Sequence, residues 1–355
     1  MSRSAANGLR ELLGSELKVV AAPMAGGPTT PALVLAAVEA GSTGFLAGGY
    51  LTAEALAEQL ALVRSGTESF GVNLFASTPV PVDQAAYAAY RTALLPLAEQ
   101  YGVELPAAPV EDDDHWCDKV DVLIEAAPPW VSFTFGLPDD AAAAALRRAG
   151  CTLVQTVTSA AEARAASDAG MDALVVQSAE AGGHWGTFTP ERPPARLSLG
   201  DLVGAVRATT PGVPMLAAGG TGTRNDVRAA LAAGADAVAV GTALLLTPEA
   251  GTNQAHRAGL MSDRGAPVTT HAFSGRPAGG LPNAFLAEYD GRAPLGYPAL
   301  HHLTGPIRRA AAAQANPEHV NLWAGTGYRH ATARPAAELL RELAGESRVG
   351  IGRHR

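Results

Sequence analysis

Cysteine is almost missing from this chain. Cys117 and Cys151 are the two among 355 residues, far apart and with no C-x-x-C pairing. That excludes a disulfide framework and a zinc cluster, and it points to a reducing compartment. Charged residues are also few, at 17%, and a net charge of −8 excludes a basic nucleic-acid groove as the main partner surface. No apolar run reaches the length of a membrane helix, so no membrane partner is expected. Residues 1–18 lack the basic stretch and apolar core of a secretion signal, and the expected location is cytoplasmic. Two catalytic and binding motifs are missing as well. No G-x-G-x-x-G follows the first apolar run, which removes the main support for a Rossmann fold. No G-x-S-x-G elbow is present, and Cys151 opens a predicted strand, so nucleophilic hydrolysis has little support. His301-His302 stands without a carboxylate at helical spacing, so packing is expected there and no metal.

What is plentiful is alanine and glycine, on a background that is 47% hydrophobic. Eight short apolar runs lie at 18–24, 43–47, 70–75, 130–135, 152–157, 173–177, 213–218 and 237–241. Helical segments at 31–40, 53–64, 139–148, 160–169, 199–208 and 225–233 follow most of them. Such alternation implies parallel strands joined by helical crossovers. Ala40-Gly41, Ala149-Gly150, Ala169-Gly170 and Ala233-Gly234 each close a helix just before a strand, where glycine adopts the left-handed cap cheaply. Eight repeats of this rhythm favour an α/β fold of the (β/α)8 TIM-barrel type over an open sheet.

Two stretches break the rhythm. Residues 76–127 carry a helical segment at 84–100 and the acidic run Glu111-Asp112-Asp113-Asp114, which reads as a solvated loop. Residues 259–323 are rich in glycine, proline and histidine. These insertions are expected to form a smaller helical cap over the barrel mouth. The division is then a barrel of 1–75 and 126–258, a cap and substrate domain of 76–125 and 259–330, and a C-terminal helix and basic tail of 331–355.

Barrel chemistry gathers at the C-terminal strand ends. After the sixth run comes Gln177-Ser178-Ala179-Glu180-Ala181-Gly182-Gly183-His184-Trp185-Gly186, in which glycines let a flat ligand approach the backbone beside a histidine that titrates near neutral pH. The seventh and eighth ends, Gly219-Gly220-Thr221-Gly222 and Val240-Gly241-Thr242, precede helical segments whose free N–H groups suit a phosphate. Each glycine alone could equally serve a tight turn; their coincidence at one barrel end favours phosphate. The first and third ends add Met24, Gly26 and the amide of Asn73. Trp185 either lines a ligand pocket or shields the loop.

Taken together, Pro23-Met24-Ala25-Gly26-Gly27-Pro28, Phe70-Gly71-Val72-Asn73-Leu74-Phe75, Glu180-Ala181-Gly182-Gly183-His184, Ser274-Gly275-Arg276-Pro277 and Asn321-Leu322-Trp323-Ala324-Gly325 resemble the motifs of nitronate monooxygenases, formerly called 2-nitropropane dioxygenases. They occur in the family's order from about residue 21 to 325, and the class I branch is the most similar. The resemblance implies non-covalent FMN, with its phosphate at Gly219-Gly220 and Val240-Gly241-Thr242. It also implies contacts from Met24, Gly26, Asn73, Gln177 and Gly182 to the flavin ring or ribityl chain, and His184 as the catalytic residue. The implied reaction is oxidation of an alkyl nitronate by O2 to a carbonyl compound and nitrite.

The chain departs from the family pattern at Thr134, at Trp185 and at Ala278-Gly279-Gly280 after the Ser274 motif. These changes remove positive or titratable groups, and point to a substrate larger or less charged than propionate 3-nitronate. Thr134, Trp185 and Ser274 are expected to shape the substrate pocket. Expected partners are a small-molecule substrate and O2, with a homo-oligomer left open. Two other readings stand beside the leading one: an NAD(P)H-dependent flavin reductase acting on a quinone or enoyl thioester, and a barrel that binds flavin or a metabolite without turnover.

Overall fold

A computed structural model describes residues 15–76 and 78–346. The strands in chain order are β1 (Val19–Ala21), β2 (Phe45–Ala47), β3 (Gly71–Phe75), β4 (Trp130–Thr134), β5 (Thr152–Val157) and β6 (Ala173–Gln177). They continue with β7 (Gly183–His184), β8 (Met215–Ala218), β9 (Ala237–Val240), β10 (Val268–Thr270) and β11 (Ala278–Gly280). Eight of them form one parallel sheet in the order β1-β9-β8-β6-β5-β4-β3-β2. A parallel bridge from Ala21 to Gly44 joins the two edges. The result is a (β/α)8 TIM barrel, as the alternation implies.

The helices are α1 (Pro31–Glu39), α2 (Ala53–Arg64), α3 (Gln84–Tyr101), α4 (Trp116–Ala126), α5 (Asp140–Arg148) and α6 (Ala160–Asp168). Then come α7 (Leu199–Thr209), α8 (Arg224–Ala232), α9 (Gln254–Met261), α10 (Ala284–Tyr289), α11 (Ala299–Ala313) and α12 (Ala336–Ala344). Side chains of Thr30, Thr52, Asp139, Ser159 and Ser198 cap the first turns of barrel helices, satisfying N–H groups that the helix cannot pair internally. At the other ends, Gly41, Gly150, Gly170 and Gly234 all have positive φ, as their Ala-Gly signatures predict.

The main core lies between strands and outer helices, built from residues such as Val19, Leu33, Val72, Leu153 and Val238. Inside the barrel, Val20, Phe45, Trp130, Leu216 and Ala239 form a plug. Phe45 fits because its ring occupies the space a Cβ on Gly71 would need.

Packing redraws the expected boundaries. α4 buries Trp116, Val120 and Leu123 in the main core and packs between α2 and α5. It is the outer crossover helix that a right-handed β3-to-β4 connection requires, so it belongs to the barrel and not to the cap. α12 packs on α1, α8 and β1 and is the barrel's eighth helix. α9, expected within the barrel segment, instead packs with α11. The two insertions share a separate core: Tyr87, Tyr90 and Leu94 of α3 meet Phe273, Phe285 and, from α11, Leu300 and Leu303. The basic tail 347–355 lies outside the described residues.

A three-stranded antiparallel sheet, β10-β11-β7, was not expected from the sequence. It turns the end of the glycine-rich segment after β6 into a strand, since His184 pairs with Ala278 of β11. β11 reads Ala-Gly-Gly and so carries no strand signature of its own. Its pairing partners supply the conformation.

Candidate active site

A cavity of about 290 Å3 opens at the C-terminal strand ends, above the plug. Glycine-rich turns make one wall. Gly219 and Gly220, at φ 125° and 68°, follow β8, and Gly241 and Thr242 follow β9. Gly26 (φ 81°) and Gly183 (φ 75°) also line the cavity, and a Cβ at either would project into open space. Gly182 has a different reason to be glycine: a Cβ there would lie 2.5 Å from the Gly325 nitrogen and 2.6 Å from the Ala324 carbonyl carbon. The His184 segment and the Asn321–Gly325 motif therefore touch backbone to backbone.

The N-terminus of α8 is not free for a phosphate. Asp226 turns back and accepts N–H bonds from Gly222 and Thr223 at 3.0 and 2.7 Å, completing a capping box. Its carboxylate supplies the negative charge that the helix end favours. The N–H groups suited to an anion are thus those of the Gly219-Gly220 and Gly241-Thr242 turns. Val240 contributes no side chain here, being buried in the outer core.

Polar strand residues line the adjoining wall. Asn73 Nδ2 donates to Ser132 Oγ at 2.9 Å and to Thr134 Oγ1 at 3.1 Å, locking the amide across β3 and β4. Gln177 Nε2 donates to the His184 carbonyl at 3.1 Å, and its Oε1 accepts from the Gly186 N–H at 2.7 Å. The side chain of Gln177 therefore fixes the backbone on both sides of Trp185.

His184 Nε2 lies 2.8 Å from Ser274 Oγ. Its ring meets Phe135, Tyr297 and Trp323 edge-on at centroid distances of 5.6, 5.8 and 5.6 Å. What remains exposed faces the cavity. Burial, then the nearby charges of Arg276 and Arg308, push its pKa down from 6.5 to about 3. The expected near-neutral titration is therefore corrected: enclosure keeps this imidazole neutral. Arg276 is fully buried, with its guanidinium 4.0 Å over the Phe135 ring and hydrogen bonds to the Thr78, Phe135 and Thr187 carbonyls.

Sequence reasoning missed the cap-side wall. Arg308 of α11 lines the cavity, donating to Thr304 Oγ1, to Asn321 Oδ1 and to both the carbonyl and Nδ1 of His301. None of these acceptors is an anion. Burial lowers its pKa to about 10, which leaves it charged at neutral pH. His301 lines the cavity too, and its ring stacks on Tyr50 at 4.2 Å and 3°. Burial holds Tyr50 up at about 12, so its hydroxyl stays protonated. His256 adds a third enclosed imidazole, whose Nε2–H donates to the Trp323 carbonyl at 3.0 Å. The one usable sequence signal was spacing: His301 and Arg308 stand seven residues apart, two turns along one helix face.

The departures at Thr134 and after Ser274 consequently do not leave the cavity without positive charge, because Arg308 supplies it from the cap. Thr134 and Ser274 line the cavity; Trp185 does not. Its indole is 7% exposed and borders a separate small cleft with Thr269 and Gly279. Among the described residues no group of three or more His, Cys, Asp or Glu side chains could hold a metal ion. None of the described helices is long and apolar enough to cross a membrane.

Fold and cavity define the class of TIM barrels with a ligand cavity at the C-terminal strand ends, and comparison with known proteins narrows it. The family model for nitronate monooxygenase matches residues 10–346. A nitronate monooxygenase from Pseudomonas aeruginosa is 38% identical over 352 residues, covering 95% of this chain and 98% of that protein. The crystal structure of a nitroalkane oxidase from Streptomyces ansochromogenes superposes with a TM-score of 0.89 at 40% identity, covering 97% of each chain. FabK from Thermotoga maritima shares the fold, with a TM-score of 0.71 at 22% identity over 98% of this chain and 96% of its own. The chain belongs to the nitronate monooxygenase family.

Proposed function

We propose that this protein is an FMN-dependent enzyme that oxidises an alkyl nitronate with O2, releasing nitrite and a carbonyl compound. The observation that carries the reading is a cavity wall bearing a guanidinium that has no anionic partner among the described residues, beside a neutral histidine. Such a site favours an anion, because a buried charge lacking a counter-ion is costly until one arrives.

The residues present fit the cofactor. Positive-φ glycines at 26, 183, 219 and 220 leave backbone exposed where a flat ring and a phosphate would sit. Gly219, Gly220, Gly241 and Thr242 would hold the phosphate, and Met24, Gly26, Asn73, Gln177 and Gly182 the ring and ribityl chain. Bound FMN would supply electron acceptance from the substrate and delivery to O2.

The chain's own work is binding and exclusion of water. Arg308 pairs with the nitronate oxygens, and the aromatic rings around His184 keep water from the reacting carbon. Ser274 Oγ also donates to the Arg276 carbonyl at 3.3 Å, so its lone pair receives the His184 Nε2–H. Nδ1 is then the unprotonated nitrogen; with its pKa held near 3 it serves as a weak hydrogen-bond acceptor, and the substrate arrives already deprotonated as the nitronate.

The test is a visible spectrum of the purified protein, followed by anaerobic additions of ethylnitronate and NADPH in turn. FMN absorbance that changes rapidly with the nitronate and slowly with NADPH is the expected result. Rapid bleaching by NADPH with no response to nitronates would replace this reading with a flavin reductase.

A further inference from the structure

We propose that Asp112 and Asp114, in the acidic run ahead of α4, are positioning residues for an anion subsite formed by Tyr50 and Arg308. The inference rests on the reading that the substrate is an anion, though not on its oxidation. The run was expected to be a solvated loop, yet both carboxylates are engaged. Asp114 Oδ1 accepts the Tyr50 N–H at 2.9 Å, and its Oδ2 pairs at 2.8 Å with Lys119 Nζ, a side chain 1% exposed. Asp112 Oδ1 accepts the Asp114 N–H at 3.0 Å, while its Oδ2 lies 2.6 Å from His302 Nε2.

These contacts grip both halves of one stack. Tyr50 has φ 67°, a left-handed backbone that a tyrosine keeps only when its surroundings impose it. The N–H bond to Asp114 is such a constraint. On the other half, His302 is held by Asp112, and its neighbour His301 presents its ring face to Tyr50. His301 in turn accepts from Arg308 Nη2 at its carbonyl, 2.8 Å away. A carboxylate pair two residues apart thus ties the barrel's Tyr50 to the cap's His301 and Arg308.

The side chains so placed are suited to a planar oxyanion. The Tyr297 hydroxyl donates to Tyr50 Oη at 3.5 Å, which leaves the Tyr50 proton free to point into the cavity. Arg308 adds fork-shaped donors and full charge beside it. A nitronate presents two oxygens on one nitrogen in a plane, and nitrate presents the same arrangement.

Calorimetric titration of the full-length, flavin-loaded protein with sodium nitrate tests the assignment. The parent protein should bind nitrate and Arg308→Met should not. Asp114→Ala should weaken binding about tenfold, the scale of one hydrogen bond in a dry site. Asp114→Asn keeps an oxygen for the Tyr50 N–H and should restore affinity to within about threefold. Asp112→Ala and His302→Ala should each weaken it by about three- to tenfold. The double variant Asp114→Ala/Lys119→Met removes the stranded ammonium, so its expected tenfold loss is separate from misfolding. Nitrate binding at parental strength in Asp112→Ala and in the double variant would overturn the proposal. So would a loss that Asp114→Asn fails to restore, or a parent protein that binds no nitrate. If the nitrate pattern holds but no nitronate is oxidised, the proposed reaction fails and the subsite stands.

Discussion

The wall made by the barrel's glycine turns presents mostly backbone to the cavity, whereas the wall where the cap meets the end of β2 presents mostly side chains. Gly219, Gly220, Gly241 and Gly182 belong to turns that sit directly on β-strand ends. Their conformations are set by a rigid scaffold, and their donors are peptide N–H groups that cannot rotate away. Arg308, His301 and Tyr50 come from α11 and the β2 end and depend on one another for placement. The first construction suits a ligand kept permanently; the second suits one that must be discriminated and released. The barrel wall is therefore where a change should cost the folded site itself. The cap wall is where it should cost recognition.

The contrast is sharpest at Gly182. Gly182→Ala drives a Cβ into the Gly325 and Ala324 backbone, neither of which is a flexible side-chain end. Two loops must part, at a cost of about 2–3 kcal/mol, and the flavin should be lost with them. Thermal melting and flavin content per chain measure both. A variant that melts normally and keeps its flavin would show that the wall is softer than the backbone contact implies.

Arg308→Met probes the opposite wall. The expected effect is a KM for ethylnitronate raised by about 10- to 100-fold, the span of a hydrogen bond to a charged group, with melting temperature and flavin content near parental. Arg308→Lys should fall between, since it retains charge without the fork. If kcat fell instead with KM unchanged, Arg308 would be acting in the reaction and not in recognition.

The same division explains what could be read from the sequence. Local signals carried the barrel: Ala-Gly caps at 41, 150, 170 and 234, apolar runs for all eight barrel strands, and glycine pairs at strand ends all lie within a few residues of what they determine. Nothing local marked β11, because Ala278-Gly279-Gly280 becomes a strand only through partners at Val268–Thr270 and Gly183–His184. Nor could Arg308 be seen as a site residue, since α11 must first pack on α3 and place its polar face over the barrel mouth. The acidic run misled for a related reason. Four acidic residues in a row look solvated until Lys119, Tyr50 and His302 converge on two of them.

The neutral histidines give a smaller, pH-dependent test. His184 and His256 are held down to about 3 and about 4, each first by burial, while in the unfolded chain both titrate near 6.5. Between those values the unfolded state binds more protons, so stability rises with pH. It is lost as pH falls below about 6.5, by up to ~1.4 kcal/mol per pH unit for each histidine. Urea midpoints at pH 7, 6 and 5 should therefore decline, and His184→Asn should reduce the slope. Turnover should show no inflection near 6.5 from His184. A clear inflection there that His184→Asn abolishes would mean the ring is wetter than its aromatic enclosure implies.

Trp185 should show the least effect, and that is its use. It follows the histidine directly in sequence, but strand pairing turns its indole away from the cavity into a cleft beside Thr269 and Gly279. Its Nε1 has no hydrogen-bond partner, so Trp185→Phe removes ring volume without stranding an acceptor. Melting should fall by about 1–2 kcal/mol equivalent, the scale of trimming a buried aromatic. KM for ethylnitronate and flavin affinity should stay within about twofold, as expected for a side chain touching neither ligand. A larger change in KM would mean that the β7 segment moves during turnover and brings the indole to the substrate. The site would then have to be described with a mobile His184 strand between its two walls.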